Sequence, residues 1–208
     1  MLKDYLMENF GYNEPIFLND LSVEGLSDNA VRQGVKRLVG SGFLERYDSG
    51  IYYIPERGGL LGKSYLDPYL VIMRKYVQSK YETYGYFTGI SFVNQLGLTT
   101  QMPAILEVVT NRESTNGRMI TVGNQKVRIK KSTVAISDSN ADLLQLLDSI
   151  GQAEKYSELT MEETIDTMIS YVKQKCFTKE QLSEVSSSLT GATAKKLIEW
   201  GIIYEFAS

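Results

Sequence analysis

The chain has 208 residues and a formal net charge of −3, with 43% hydrophobic and 23% charged side chains. No run of about 18 apolar residues is present, so we expect a soluble, cytoplasmic protein without a membrane span or secretory leader. There is no histidine and one cysteine, which excludes an internal disulfide, zinc sites of the Cys/His kind, and the Ser-His-Asp and Cys-His nucleophile systems.

The charge is distributed unevenly along the chain. Residues 1–60 carry 6 basic and 9 acidic side chains, residues 61–139 carry 10 and 5, and residues 140–208 carry 6 and 11. Local charge rather than net charge decides whether a surface attracts nucleic acid. An acidic chain with a basic middle can therefore still contain a nucleic-acid-binding surface.

The first 60 residues are predicted to form three helices followed by a β-hairpin. Apolar spacing, capping residues and turn residues place these elements, in order, at Leu2 to Phe10, Ile16 to Glu24, Ser27 to Gly40, Phe43 to Tyr47 and Ile51 to Ile54. This order is typical of a winged helix-turn-helix domain. The Gly58-Gly59 pair predicts the end of this domain, residues 1–60, with a boundary near residues 58 to 64.

The third predicted helix has two different faces. Val31, Val35 and Leu38 recur at helical spacing and predict a buried face. The opposite face is polar and basic, as major-groove recognition requires. We expect DNA contacts from the N-cap, from this face and from the wing, at Ser27, Asn29, Arg32, Gln33, Lys36, Arg37, Arg46 and Tyr47. Of these residues, Arg37, Arg46 and Tyr47 are expected to contact phosphates. Ser27 is the N-cap at the start of the helix, and the remaining residues are expected to contact bases.

Two residues of the same helix weigh against DNA binding. Asp28 would repel a phosphate at the helix start, and Gly34 costs the helix roughly 1 kcal/mol relative to alanine. Gly34 could instead permit close helix packing or approach of the DNA backbone. The alternative is a winged helix that binds only protein.

Residues 64–208 are predicted to form a mixed α+β domain that is helical from about residue 140. Two helices come first, then three strands, of which the last two are joined by a Gly123-Asn124 turn, and then four helices. The predicted bounds are Leu66 to Ser79, Thr88 to Leu96, Ala104 to Thr110, Arg118 to Val122, Gln125 to Lys131, Ala141 to Ile150, Met161 to Lys175, Lys179 to Ser187 and Thr193 to Trp200. The fold class of the whole chain is therefore α+β.

The strand QKVRIKK predicts a second basic surface. Lys126, Arg128 and Lys130 alternate with Val127 and Ile129, so the cations should share one face. Arg118, on the preceding strand, and Lys131 are expected to enlarge this patch, which could hold the phosphates of a nucleic acid or nucleotide, or an acidic protein. The alternative is an edge strand whose lysines prevent aggregation.

Other residues carry weaker signals. Tyr81, Tyr84, Tyr86, Phe87 and Phe92 could stack on bases but are more typical of a core, and Cys176 is expected in the core as well. Glu107 and Glu113 loosely suggest a metal-dependent nuclease, but the Glu-x-Lys arrangement is missing and no phosphate-binding glycine loop is present. We therefore expect no catalytic residues, no metal site, no cofactor and no enzyme activity.

One pair of segments repeats along the chain. VKRLVGSGFLERY (Val35 to Tyr47) and AKKLIEWGIIYEF (Ala194 to Phe206) share a basic pair, a leucine and a glycine. A helix ending at glycine explains this better than a duplication does.

Several segments together resemble a known family. These are GLSDNAVRQGVKRLVGSGFLERYDSGIYYIP, YGYFTGISFVNQLGLTTQMP, ILEVVTNRES and VGNQKVRIKK, within about residues 1–135. In this order they resemble the AbiEi-type antitoxins of bacterial type IV toxin-antitoxin systems, which act in abortive infection, or a closely related winged-helix family. The acidic helical tail matches least well.

The resemblance implies an antitoxin that also represses its own operon. The winged helix would bind inverted repeats in double-stranded operator DNA, and the second domain would counteract a nucleotidyltransferase-like toxin, typically without forming a stable complex. The operator contacts would fall on the same residues of the third helix and wing. The basic strand would belong to the antitoxin domain or add a second DNA contact. The alternative function is a stand-alone winged-helix regulator or a protein-interaction module with no toxin partner.

Overall fold

The structure is a computed structural model that describes residues 1–56 and 65–207. The chain divides into two compact units, Met1–Arg74 and Lys75–Ser208. The domain boundary predicted near residues 58 to 64 falls on residues outside the described ranges. The fold class is α+β, as predicted, with helices and a small sheet in each unit.

The first unit contains helices and a three-stranded sheet in the order β1-β3-β2. Its elements are α1 (Leu2–Asn9), β1 (Ile16–Phe17), a 3-10 turn (Leu18–Asp20), α2 (Asp28–Gly40), β2 (Glu45–Asp48), β3 (Ile51–Tyr53) and α3 (Pro68–Ile72). Helix α3 continues into a π-helical turn, Met73–Val77, within which the first unit ends. The first and third predicted helices and the hairpin are confirmed.

The helix predicted over Ile16 to Glu24 is wrong. Ile16 and Phe17 instead pair antiparallel with Tyr52 and Ile51 of β3, and only one 3-10 turn follows. Leu21, whose backbone is extended, and Val23 then reach the core, 6% and 7% exposed. The segment is short and is preceded by Pro15, so strand pairing and alternate burial outweigh its helical spacing.

One compact core holds the first unit together. Helices α1 and α2, strand β1, the segment after the 3-10 turn and the residues next to β2 and β3 contribute its side chains, which are Leu6, Ile16, Leu21, Val23, Val31, Val35, Leu44 and Ile54. Burying a side chain of this size contributes about 1.5–3 kcal/mol. The polar face of α2 thus lies opposite an apolar face that is packed into this core.

The second unit contains a mixed sheet in the order β4-β5-β7-β6, followed by a helical region. The strands are β4 (Gly85–Thr88), β5 (Ile105–Thr110), β6 (Asn116–Val122) and β7 (Gln125–Lys131), with α4 (Ile90–Gln95) between β4 and β5. Strands β5 and β7 are parallel, and the other two pairs are antiparallel. Three of the strands are those predicted, but β4 was missed and the helix predicted from Thr88 begins at Ile90.

The helical region begins at residue 141. It consists of α5 (Ala141–Tyr156), α6 (Met161–Lys175), α7 (Lys179–Glu184), a 3-10 turn (Ser186–Ser188), α8 (Gly191–Glu199) and a last 3-10 turn (Ile202–Glu205). All four predicted helices are confirmed, with α5 longer and α7 shorter than expected. They enclose a core in which Leu143, Leu146, Ile150, Met168 and Val172 are fully buried.

Strand β4 passes very close to its neighbours at Gly85. A Cβ atom there would lie 2.1 Å from the carbonyl oxygen of Tyr76 and 2.8 Å from that of Val109. Both distances are below van der Waals contact, so the site accepts only glycine. This explains why a glycine stands inside a strand.

Within the described residues, no helix is long and apolar enough to cross a membrane.

Candidate nucleic-acid interface

Helix α2 begins at a defined cap. Ser27 has extended backbone, and its Oγ accepts a hydrogen bond from the Ala30 backbone N–H at 3.3 Å. Such caps stabilise a helix by about 1 kcal/mol. Asp28 follows in the first turn, where the helix dipole favours a carboxylate. The hydroxyl of Ser27, one of the predicted contacts, is thus already used in starting the helix.

The two faces of α2 are as predicted. Val31, Gly34 and Val35 are buried, and Leu38 is half-buried. The opposite face places every predicted polar and basic side chain of the helix in solvent, namely Asn29, Arg32, Gln33, Lys36 and Arg37. The helix therefore presents two amides and three cations together.

None of the three cations on this face is neutralised within the described part of the chain. Arg32, Lys36 and Arg37 form no salt bridge and no side-chain hydrogen bond there, and neither does Asp28. Because an ion pair must be broken before a phosphate can take its place, unpaired cations bind anions at lower cost.

Gly34 serves helix packing. A Cβ atom at this position would lie 2.5 Å from Cδ2 of Leu2, on α1. The glycine therefore lets α1 approach α2 on the buried side. Of the two roles considered for it, close packing is the one that the structure shows.

A small cleft adjoins the start of α2. It has a volume of about 280 Å³ and is lined by Leu18, Asn19, Leu21, Asp28, Val31 and Arg32. Asn19 is exposed beside the predicted contact residues, although the sequence had placed it inside a helix. The signal that could have revealed it is the alternation of Leu21 and Val23, which is typical of extended backbone.

The β2–β3 hairpin presents one cation. Arg46 is exposed, and its Nε donates to the carbonyl oxygen of Asp48 at 3.2 Å. Tyr47 is half-buried, and its hydroxyl is shielded from solvent with no partner among the described residues. Burial, followed by the nearby Tyr65, Asp48 and Asp67, raises the pKa of this hydroxyl. The phosphate contact predicted for the pair can therefore come from Arg46 but not from the Tyr47 hydroxyl in this position.

The basic strand β7 shows the predicted alternation. Val127 and Ile129 are fully buried, while Lys126 and Arg128 are exposed and Lys130 is half-buried on the other face. However, β7 lies between β5 and β6, so the interpretation of its lysines as protection of a sheet edge is wrong. A parallel pair is usually covered on both faces, and here the charged face of β7 is open.

Arg118 and Lys131 do not belong to this face. The two-residue turn sets Val122 opposite Gln125, so Arg118 lies opposite Ile129 and shares its face. Lys131 is adjacent to Lys130 and therefore points to the opposite side. The predicted enlargement of the patch is wrong, because the hairpin register separates these two cations from the other three.

Two of the three remaining cations are paired. Glu107 of β5 lies beside Arg128 in the sheet, and its carboxylate contacts Arg128 at 3.4 Å and Lys130 at 2.6 Å. Lys126 has no ion-pair partner within the described ranges. The net charge of this surface is thus much smaller than the sequence suggested.

A comparison with protein families adds one result. The profile of a family of unknown function, DUF6088, matches residues 12–177. The chain belongs to the DUF6088 family. No curated protein matches it. The DUF6088 region includes α2, the β2–β3 hairpin and the whole second sheet, and it ends at Phe177, before α7.

The DUF6088 region also contains the two carboxylates considered for catalysis. Glu107 is held by Arg128 and Lys130, whereas Glu113 is paired with Arg118 at 2.8 Å. The Thr115 backbone N–H and then the Arg118 guanidinium lower the pKa of Glu113 to about 2. Across residues 1–56 and 65–207, no cluster of three His, Cys, Asp or Glu residues could hold a metal ion.

The remaining two predictions have different outcomes. Tyr84, Tyr86, Phe87 and Phe92 are buried, which confirms the core interpretation for them, whereas Tyr81 is 86% exposed. Cys176 is exposed, so its expected place in the core is wrong. It is the residue that ends α6, in the left-handed conformation with φ at 52°.

Proposed function

We propose that the first unit is a winged helix that binds double-stranded DNA, with α2 in the major groove. The observation that carries this proposal is the face of α2, where Arg32, Lys36 and Arg37 are exposed beside two amides and have no ion-pair partner among the residues that the structure describes. Cations on such a face can bind phosphates, and arginine and amide side chains can pair with base edges.

The element order supports the winged-helix assignment. Helix α1, strand β1, helix α2 and the β2–β3 hairpin follow one another, and β1 joins the hairpin in one sheet. A 3-10 turn occupies the place of the usual second helix. In this proposal the helix start is anchored by Ser27, and the hairpin is the wing.

The proposed contacts divide into two kinds. Asn29, Arg32, Gln33 and Lys36 face the bases, since they lie toward the start and middle of α2. Arg37 and Arg46 bind phosphates and fix the register of the protein on the duplex. Asn19, at the cleft beside Arg32, is a further candidate.

For the whole chain, we propose an antitoxin that represses its own operon. The support is the resemblance of segments within about residues 1–135 to AbiEi-type antitoxins. The winged helix would bind inverted repeats upstream of the operon, and the second unit would counteract a nucleotidyltransferase-like toxin without a stable complex. No catalytic role is proposed for any residue.

The decisive experiment removes the cations of α2. An Arg32→Ala, Lys36→Ala double variant should lose at least about 2 kcal/mol of binding free energy for the DNA upstream of its gene, on the basis of about 1–3 kcal/mol per specific contact. Gel-shift titration measures this loss. Lys80→Ala with Lys155→Ala removes the same charge from exposed positions of the second unit and should leave the affinity within about twofold.

The salt dependence of binding tests the alternative function. Phosphate contacts make affinity fall steeply as salt rises. A folded chain with no affinity for duplex DNA even at low salt would favour a protein-interaction module and overturn the DNA-binding proposal. Retained DNA binding without any effect on a co-expressed toxin would favour a stand-alone regulator.

A further inference from the structure

The exposed surface of α2 carries one carboxylate among its cations and amides. Asp28 is the first residue of the helix and is exposed, about one helical turn before Arg32. Its carboxylate forms no ion pair and no side-chain hydrogen bond with the residues that the structure describes. Against DNA of arbitrary sequence this charge repels the phosphates and lowers the affinity.

Asp28 and Arg32 are also not paired with each other. They have the i, i+4 spacing at which opposite charges on a helix commonly form an ion pair, and the acid precedes the base, which is the favourable order. On α8 the same spacing joins Lys195 to Glu199 at 3.4 Å. Within the described part of the chain neither Asp28 nor Arg32 has an ion-pair partner, so both charges remain available to a ligand.

The two side chains line the cleft at the start of α2. Asp28 and Arg32 reach it from the helix, and Asn19 reaches it from the 3-10 turn. Asn19 is exposed as well and forms no side-chain hydrogen bond across residues 1–56 and 65–207. The cleft therefore presents a carboxylate, which only accepts hydrogen bonds, beside a guanidinium, which only donates them.

This pair of groups matches the major-groove edge of a G·C base pair. Guanine presents two acceptors there, N7 and O6, which a guanidinium can bind together, and cytosine presents the amino group N4, which can donate to a carboxylate. Thymine presents the acceptor O4, which a carboxylate repels, and adenine has the acceptor N7 beside its amino group. Of the four bases, cytosine is thus the one that suits a carboxylate.

We propose that Asp28 determines specificity by selecting a cytosine at one position of the bound sequence, close to the guanine that Arg32 binds. This role rests on the proposed function of the first unit, because it requires α2 to lie in the major groove. The rise from Asp28 to Arg32 along the helix is about 6 Å, and successive base pairs are stacked about 3.4 Å apart. The cytosine and the guanine therefore belong to one base pair or lie within about two base pairs of each other.

The carboxylate acts by weakening binding to other sequences as well as by contacting its own base. Where cytosine is present, Asp28 accepts a hydrogen bond from N4, which offsets the repulsion between its charge and the phosphates. At any other base the carboxylate is desolvated without a donor, and binding is weaker. Asp28 thereby increases the difference in affinity between the operator and all other sequences.

The test uses the intact chain to select duplexes from a randomised library at about 50 mM salt, followed by sequencing of the bound DNA. The parent should show one position at which cytosine is preferred over the other bases by roughly 5- to 150-fold, the range for one specific contact. Asp28→Ala should remove the preference at that position alone. Asp28→Asn should transfer it to adenine, because an amide binds N6 and N7 of adenine together.

Two further variants show that the effect belongs to this position. Glu8→Gln removes the same charge from an exposed residue of α1 and should leave every base preference as in the parent. Arg32→Ala should abolish a preference for guanine within about two base pairs of the cytosine position. Affinity for a duplex that lacks the selected sequence should rise in both Asp28 variants, since the repelling charge is gone. Circular dichroism checks that α2 stays folded.

The outcomes separate this role from the proposed function of the first unit. A parent chain that binds no duplex would overturn both. A parent chain that selects a defined sequence, with base preferences that neither Asp28 variant changes, would overturn the role of Asp28 alone and leave DNA binding intact. That result is expected if Asp28 only stabilises the start of α2 through the helix dipole, since the substitutions would then lower the thermal midpoint without changing any base preference.

Discussion

The chain has two surfaces whose sequences carry similar positive charge, and the structure makes them different. On α2, Arg32, Lys36 and Arg37 have no ion-pair partner within the described residues. On β7, Arg128 and Lys130 share Glu107, a residue about 20 positions earlier in the chain. The comparison teaches that periodicity predicts which cations share a face, but long-range pairing decides whether their charge is available.

The largest expected difference is in DNA affinity. Arg32→Ala should cost about 1–3 kcal/mol of binding to the upstream duplex, because it removes a specific contact. Arg128→Ala, the matched change on β7, should cost less than about 0.5 kcal/mol. Fluorescence anisotropy at one fixed salt concentration compares them. Equal losses from both variants would show that the two surfaces act alike.

The salt dependence of DNA binding also distinguishes the surface of α2 from that of β7. Arg37→Ala should reduce the slope of log affinity against log salt by about 0.9, the value for one phosphate contact in B-DNA. Lys126→Ala is the strictest control, since Lys126 is also exposed and also has no ion-pair partner in the described part of the chain, but lies on the other surface. A similar reduction from Lys126→Ala would mean that β7 contacts the DNA as well.

A substitution at Glu113 tests whether its carboxylate stabilises the fold of the second unit. Its pKa is lowered from 4.5 to about 2 by the Thr115 N–H, Arg118 and the Thr115 hydroxyl. Because the folded-state pKa is below the unfolded one, its stabilisation is present above about pH 4.5 and is lost as the pH falls toward 2. Glu113→Gln should therefore lower the thermal midpoint most at neutral pH. The difference between the midpoints of the variant and the parent chain should shrink as the pH falls toward 2.

The control for this titration is Glu184→Gln, on an exposed residue of α7 that forms no ion pair with the described residues. This variant should leave the thermal midpoint unchanged at every pH of the titration. A gap for Glu113→Gln that stays constant down to pH 2 would contradict the assigned role.

The smallest effect is expected from freeing the cations of β7. Glu107→Gln releases Arg128 and Lys130 and should cost less than about 1 kcal/mol of stability, since the pair is partly exposed. Retention on heparin should rise, with elution at higher salt. Unchanged elution would show that Glu107 does not limit the charge of this surface.

The local features of the fold were predictable from the sequence because short-range chemistry determines them. Ser27 starts α2, Gly123 turns the hairpin, and alternation separates Lys126 from Val127. The register that moves Arg118 to the other face was also predictable, since a two-residue turn fixes the facing pairs. Alternation within each strand taken by itself does not reveal this register.

Other features depend on contacts between distant segments. The parallel pairing of β5 with β7 sets Glu107 beside Arg128, and neither strand indicates this alone. Likewise Ile16 and Phe17 become a strand only because β3 is available to pair with them. Helical spacing of apolar residues over so short a segment stabilises a helix too weakly to compete with this strand pairing.

The central claim, that α2 binds duplex DNA through unpaired cations, is tested most directly by the affinity of the intact chain for the DNA upstream of its gene, measured against salt. The account predicts binding at about 50 mM salt that weakens along a straight line of log affinity against log salt, with a slope of about −0.9 for each phosphate contacted. No detectable binding by the folded protein at that salt concentration would contradict it.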